Sequence, residues 1–217
     1  MTNIFGSPKK INLKTHLFQI GVKALEKAGW KVERIQGNGK SSIRRISKGG
    51  VSKIISIRTS QDTWIAFPRT ENDKGWRTLD EVDAVVPVSV DDRHDPKAAN
   101  VHMIDGDEMR DRFNRAYAVR KKAGHSIPIG RGVWVSLYFE EKSEPASYAG
   151  AGAGLKHPPF AIVPLTPDTI ASVIDGSESA DKPSSSEEAP LTILEAKRRL
   201  ALAFGIDPSA IKITVEG

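Results

Sequence analysis

The sequence contains no cysteine. Disulfide frameworks, thiolate metal sites and cysteine nucleophiles are therefore excluded, because each of them needs a thiol. The five histidines are scattered along the chain without the short spacing of a metal-binding motif. A structural zinc site is therefore not expected.

Long apolar segments are also missing. No run of apolar residues approaches the roughly 18 that a membrane-spanning helix needs. Residues 1–10 lack the apolar core of a secretory signal. Because 39% of the residues are hydrophobic and 27% are charged, the composition is that of an ordinary globular protein. We expect a soluble, cytoplasmic protein.

Acidic residues are scarce at the start of the chain. Residues 1–60 contain thirteen Lys and Arg but only Glu26 and Glu33, a balance of 13 − 2 = +11, whereas residues 61–217 come to 19 − 25 = −6. A local excess of cations is typical of a surface that binds nucleic acid. The alternative, that these cations simply lie on a solvated sheet surface, stays open.

Periodicity and turn residues predict the secondary structure. Gly49-Gly50 and the Gly37-Asn38-Gly39 segment supply turns between strands, so the first four strands are expected to form a basic meander. The tract 143–154 is predicted to be a flexible loop. The predicted elements are a helix over 13–28, strands over 30–35, 42–47, 52–59 and 64–69, further strands over 82–90 and 101–104, a helix over 105–122, and a last strand over 133–139.

Composition divides the chain into three parts. Residues 1–174 form the predicted main domain. Residues 175–190 are rich in Ser and acidic residues and poor in apolar ones, which predicts a flexible linker. Residues 191–217 have the pattern of a helix followed by a short strand. This tail is too small to form its own core, so we expect it to dock on the main domain or on a partner protein.

The order of motifs in residues 13–67 resembles the PD-(D/E)XK nuclease-like superfamily, particularly its archaeal Holliday-junction resolvases and type IV restriction relatives. The order is a helix, Gly29-Trp30, a strand, a Gly-x-Gly-x-Ser loop, a second strand, a Gly-Gly turn and a third strand that ends Ile57-Arg58-Thr59-Ser60. Weaker similarity continues to Lys122. The resemblance implies an α/β fold in which helices flank a central mixed sheet, with restriction-endonuclease-like topology.

In such nucleases an Asp on the second strand and a Glu-x-Lys on the third hold one or two Mg²⁺ ions. The resemblance places Arg44 or Arg45 near the Asp position, Ser56 at the Glu position and Arg58 at the Lys position. Such a site would repel Mg²⁺ and attract phosphate, because arginine offers a fork of donors matched to phosphate oxygens.

We therefore predict a non-catalytic DNA-binding protein without a metal cofactor. Its predicted phosphate contacts are Lys40, Arg44, Arg45, Lys53 and Arg58. A divergent Mg²⁺-dependent endonuclease is the enzymatic alternative. Its relocated carboxylates would be Glu26, Glu33 and Asp62.

The sequence is compatible with more than one ligand and assembly. RNA in place of DNA, a homodimer, and an interaction protein that uses residues 191–217 all stay open. On the helix over 105–122, Arg112, Arg115 and Lys122 have the spacing of a stripe that could contact phosphates. The tryptophans at Trp64, Trp76 and Trp134 lie in or beside strand patterns, so we expect core positions for them and not base stacking.

Overall fold

Helix α1 spans Pro8–Lys27 in the computed structural model, which describes residues 8–35, 41–127 and 130–166 of the chain. The helix begins earlier than predicted. Leu17, Ile20 and Leu25 on its apolar face are almost fully buried. Gly29, with φ of +89°, takes the left-handed conformation that follows the end of a helix, as the sequence predicted.

The described residues form strands that are organised in two sheets. The larger sheet has the order β1-β2-β3-β5-β6-β9, and β7 also pairs with β5. All pairs in it are antiparallel except β3 with β5, so the sheet is mixed and the predicted α/β class is confirmed. The strands are β1 (Lys31–Arg34), β2 (Ile43–Lys48), β3 (Val51–Ser60), β4 (Trp64–Pro68), β5 (Ala84–Val90), β6 (Ala98–Val101), β7 (Ile104–Asp105), β8 (Gly132–Ser136) and β9 (Ala161–Pro164).

Three predictions about strands are wrong. Strand β4 leaves the predicted meander and pairs with β8 in a separate antiparallel sheet. The segment 101–104 is not one strand, because the chain breaks its pairing at His102 and Met103 between β6 and β7. Strand β9 follows the strand that was predicted to be the last. All three features depend on how segments that are distant in the sequence pair with one another. Local periodicity carries no information about such pairing.

The two faces of the larger sheet are covered by different elements. Helix α1 packs on one face, and helix α2 (Gly106–Lys122) packs on the other together with β8 of the second sheet. Strand β5 is buried at every position, as its continuous apolar run predicted. Gly21 brings α1 close to the sheet, since a Cβ there would lie 2.7 Å from Cγ2 of Val88.

Helix α2 has the predicted end signals. The carboxylate of Asp105 accepts hydrogen bonds from the backbone N–H groups of Asp107 (2.8 Å) and Glu108 (3.3 Å). Acidic residues occupy its first turn and basic residues its last, which suits the helix dipole.

The tract 143–154 was predicted to be a flexible loop, and this prediction is wrong. It contains a 3-10 turn at Ala146–Tyr148 and leads into the short helix α3 (Ala153–Lys156), and residues 149–154 are buried. Small residues are needed here because a Cβ at Gly150 would collide with the carbonyl oxygen of Arg112. The glycines therefore serve close packing.

A chain of buried hydrogen bonds links β5 to the segments that follow β6, β8 and α3. Nδ1 of His102 lies 2.7 Å from the carbonyl oxygen of His157, so this nitrogen carries the proton and donates. Nε2 of His102 then accepts from the hydroxyl of Tyr138 at 2.8 Å, and the oxygen of Tyr138 accepts from Ser89 at 2.7 Å. Burial lowers the pKa of His102, which agrees with a neutral ring in this chain.

The predicted linker 175–190 and tail 191–217 lie outside the described residues, as does the end of the predicted main domain. Of the helices in the described ranges, none combines the length and apolarity that a bilayer crossing requires.

Candidate functional site

A cleft of about 680 Å³ opens beside the C-terminal half of β3. Strand β2 begins at Ile43, which pairs with Ser56, so the end of β3 has no neighbouring strand on that side in the described part of the sheet. Residues of α1 line the cleft together with residues of β4 and β8. We call this space the Arg58 cleft. Its lining includes Lys14, Phe18, Arg58, Thr59, Trp64 and Trp134.

Arg58 is the main cation of this cleft. Its guanidinium lies over the ring of Phe67, 4.2 Å from the ring centroid, and its Nε is buried without a hydrogen-bond partner. Burial lowers the pKa of Arg58 to about 10, so the group is still charged at neutral pH. None of the described residues that line the cleft is acidic. A buried cation without a counter-charge is poorly solvated, which costs free energy. An anion bound in the cleft would offset this desolvation free energy.

Ser56 lies two residues before Arg58 and has its side chain on the same face of β3. It is fully buried, and its hydroxyl has no hydrogen-bond partner. The residue directly opposite on β2 is Ile43, whereas Arg44 and Arg45 pair with Ile55 and Ile54. The neighbour of Ser56 on β2 is therefore apolar, and Arg44 and Arg45 lie one and two positions further along β2.

The predicted phosphate contacts do not lie on one surface. The side chain of Arg44 lies on the α1 side, 4.8 Å from the ring centroid of Phe18, and its Nη1 donates to the carbonyl oxygens of Ser41 (3.0 Å) and Ile43 (2.7 Å). Burial, with a smaller effect of the nearby charge of Arg34, lowers the pKa of Arg44. Arg44 therefore lies beside the Arg58 cleft, behind Phe18.

The other predicted cations lie elsewhere. Lys53 pairs with Ile46, which is buried on the α1 face, so the alternation of β3 puts Lys53 and Arg58 on opposite faces. Arg45 is exposed on β2 and does not line the cleft. Lys40 lies outside the described residues. Of the predicted cations that lie in the described ranges, only Arg58 lines the cleft.

The carboxylates of the enzymatic alternative are not brought together. Glu33 on β1 forms a 2.8 Å ion pair with Lys31, and the hydrogen bond and charge of Lys31 lower its pKa. Asp62 accepts from the hydroxyl of Ser60 at 3.1 Å in the turn after β3, and Glu26 is exposed near the end of α1. No three His, Asp or Glu side chains among the described residues form a group that could hold a metal ion.

The tryptophans differ in their surroundings. Trp76 is a core residue, 2% exposed, as predicted. Trp134 is 53% exposed and Trp64 is partly exposed, and both line the Arg58 cleft, so a core position for Trp134 was a wrong prediction. The alternation of residues in β8 could have predicted the exposure of Trp134. The flanking Val133 and Val135 are buried, and a strand residue between them has its side chain on the opposite face of the sheet.

The cleft continues into a second one of about 420 Å³, which shares Lys14, Thr59, Trp64 and Trp134 with it. Arg93 and Asp62 also line this second cleft. Lys14 is exposed on α1. Sequence reasoning did not single it out, because nothing local distinguishes it from the other lysines of that basic helix.

Two of the three residues in the predicted phosphate stripe on α2 form ion pairs within the protein. Arg112 is 6% exposed, and its Nε and Nη2 donate to Glu108 at 3.0 and 2.9 Å. Arg115 donates to both carboxylate oxygens of Glu141, at 2.8 and 3.0 Å, and these hydrogen bonds raise the pKa of Arg115. Lys122, near the helix end, is exposed. Helical spacing identified a shared face, but Arg112 and Arg115 on that face pair with the carboxylates of Glu108 and Glu141.

Comparison of the chain with protein-family models, with curated proteins and with solved structures found no match. A function for this chain is therefore inferred from the geometry of the site alone.

Proposed function

We propose that this protein binds DNA in the Arg58 cleft, through the phosphate backbone and without cleaving it. The observation that carries the proposal is the charge of Arg58, which is partly buried beside an open cleft and has no acidic partner among the described residues. Lys14 adds a second cation to the same space.

Phosphate suits this cleft for two reasons. The arginine fork matches phosphate oxygens, and each phosphate that a cation neutralises releases condensed counterions. Residues with hydroxyl groups, namely Ser42, Thr59 and Thr78, also line the cleft, and a hydroxyl can donate a hydrogen bond to a phosphate oxygen. Phosphate contacts of this kind position a nucleic acid without reading its sequence, so we expect little base specificity.

We also propose the finer fold assignment, a restriction-endonuclease-like domain with degenerate catalytic positions. The order of α1, the antiparallel β1-β2-β3 meander and the parallel neighbour β5 supports it. Ser56 and Arg58, which the resemblance aligns with the Glu and Lys positions, share one face of β3. With Arg44 or Arg45 near the aligned Asp position and Ser56 at the aligned Glu position, neither position offers the carboxylate oxygens that Mg²⁺ needs. A cytoplasmic location is part of the same proposal.

Exchanging Arg58 for Gln is expected to weaken binding of a labelled duplex by about 10- to 150-fold, because a hydrogen bond to a charged group contributes about 1.5–3 kcal/mol. The dependence of log K on log salt should become shallower by about 0.9, since one phosphate contact is lost. Fluorescence anisotropy over a salt series measures both quantities.

Arg45→Gln is the matched control, because it removes the same charge from an exposed position on β2 outside the cleft. We expect a change of less than about threefold, from the general electrostatic field alone. Equal losses in the two variants would refute the cleft and favour a diffuse basic surface. Wild-type protein that shows no binding at low salt, or binding that salt does not weaken, would refute the proposed function.

Parallel reactions with EDTA, Mg²⁺ or Mn²⁺ on duplex DNA, branched DNA and RNA test two further parts of the proposal, which are the absence of cleavage and the choice of DNA as the ligand. Binding that survives EDTA without any cleavage supports a reader of DNA. Metal-dependent cutting would show that the protein is a nuclease whose active site lies elsewhere, and tighter binding of RNA would change the ligand.

A further inference from the structure

We infer that the ligand of the Arg58 cleft is a single-stranded segment, with one phosphate at Arg58 and an unpaired base stacked on Trp134. This inference rests on the proposed function and specifies its ligand. An exposed indole, a partly exposed indole and an uncompensated arginine line the same space. Aromatic platforms combined with cations are the usual chemistry for binding single strands without sequence preference.

Trp134 is held in place from behind. Its backbone pairs with Ala66 of β4, and its carbonyl oxygen accepts a 2.6 Å hydrogen bond from Nη2 of Arg120 on α2. Val133 and Val135 on either side are buried in the core. The backbone of Trp134 is thus fixed before a ligand arrives. Binding therefore costs less conformational entropy than it would if this segment had to be ordered.

The ring of Trp134 is nevertheless open. It is 53% exposed, and among the described residues it has no ring–ring contact. Its cross-strand neighbour is Ala66, which is too small to cover an indole. Among the described residues, no aromatic ring therefore covers the indole face that a base would contact.

Trp64 extends the platform. Because Trp64 pairs with Ser136 and Ala66 pairs with Trp134, the two indoles are diagonal neighbours on one face of the second sheet. The ring of Phe139 packs edge-on against Trp64, with the centroids 5.4 Å apart. Phe139 in turn contacts Tyr148 at 4.9 Å, so Trp64 is supported by an aromatic cluster on its side away from Trp134.

A duplex cannot use this platform. Its bases are paired and stacked on one another, so it offers phosphates and base edges to a protein surface but no open base face. A single strand can turn a base outward onto an aromatic ring. The cations of the cleft would therefore bind both forms of DNA, whereas the indole of Trp134 would favour the single strand.

The test compares five proteins, wild type, Trp134→Ala, Trp134→Phe, Phe160→Ala and Arg58→Gln, with dT12, with the dT12–dA12 duplex and with dTMP. Trp134→Ala is expected to weaken dT12 binding by about five- to 150-fold and to change duplex binding less than twofold, because stacking of one base on an aromatic side chain is worth that much. Tryptophan fluorescence of the wild type should be quenched by dT12, and Trp134→Phe should lose most of the quenching while keeping part of the affinity.

Phe160→Ala is the control, because Phe160 is another exposed aromatic, 41% exposed, that does not line either cleft. It should bind dT12 like the wild type.

Equal losses for dT12 and duplex in Trp134→Ala, or dTMP binding as tight as dT12 binding, would overturn the single-strand inference. In either case, salt-dependent binding that still requires Arg58 would leave the proposed function standing. Absence of binding to every nucleic acid would overturn both. Circular dichroism spectra that match the wild type establish that each variant is folded.

Discussion

Replacing Arg112 by methionine is expected to lower the free energy of unfolding by about 3–5 kcal/mol, because one member of a buried ion pair is lost. The guanidinium binds Glu108 through two nitrogens and donates through Nη1 to the carbonyl oxygens of Gly150 (3.3 Å) and Ala151. Methionine fills similar space but donates to none of these atoms. Urea unfolding at pH 7, followed by circular dichroism, measures the change.

Arg115→Met on the same helix is the matched control. It makes the same chemical change three residues further along α2, but the Arg115 side chain is 49% exposed and its partner Glu141 is 37% exposed. An exposed ion pair of this kind contributes about 0–1 kcal/mol. If both variants lost the same small amount, Arg112 would be a surface residue in solution and the buried pair would be refuted.

Arg112 also illustrates a limit of reading helix faces from sequence. The spacing of Arg112 and Arg115 correctly showed that the two residues lie near each other on α2, and the start and end of the helix followed from Asp105 and the charged last turn. Spacing says nothing about what a face packs against. Here the partners include Glu141 and the carbonyl oxygens of Gly150 and Ala151, which are far along the chain.

The composition of residues 143–154 also led to a wrong prediction, that of a flexible loop. Glycine and alanine are common in flexible linkers, and they are equally suited to close backbone packing. The distinction depends on the neighbour, and at Gly150 that neighbour is the backbone of α2. No local pattern in the sequence distinguishes the two uses.

The candidate site was predictable only in part. Turn glycines and alternating residues located β1, β2 and β3, and Arg58 was identified from its position on β3. The cleft itself arises because β4 leaves the sheet to pair with β8, which brings Trp64 and Trp134 to the open end of β3. Strand pairing over that distance is decided by tertiary packing, so Trp134 and Lys14 could be assigned to a site only from the structure.

Acid is expected to destabilise the protein through Glu108. Burial alone would raise the pKa of this carboxyl, but hydrogen bonds from His157, Lys156 and Arg112 hold it at about 2, below its ordinary value of 4.5. The folded protein therefore binds this proton less readily than the unfolded chain, so the stabilisation is complete above pH 4.5 and is lost as the pH falls toward 2.

Allowing for solvent screening of the partly accessible side chain, we expect the ionised Glu108 to contribute about 2 kcal/mol at pH 7. In urea unfolding at pH 7, 4.5 and 2.5, the gap between the wild type and Glu108→Gln should therefore narrow by more than half at the lowest pH. Glu140→Gln, which alters an exposed glutamate, should follow the wild type throughout. If the difference in free energy of unfolding between the wild type and Glu108→Gln stayed constant with pH, the prediction would be wrong. Glutamine would then disturb packing alone, and the charge of Glu108 would not contribute to stability through the surrounding cations.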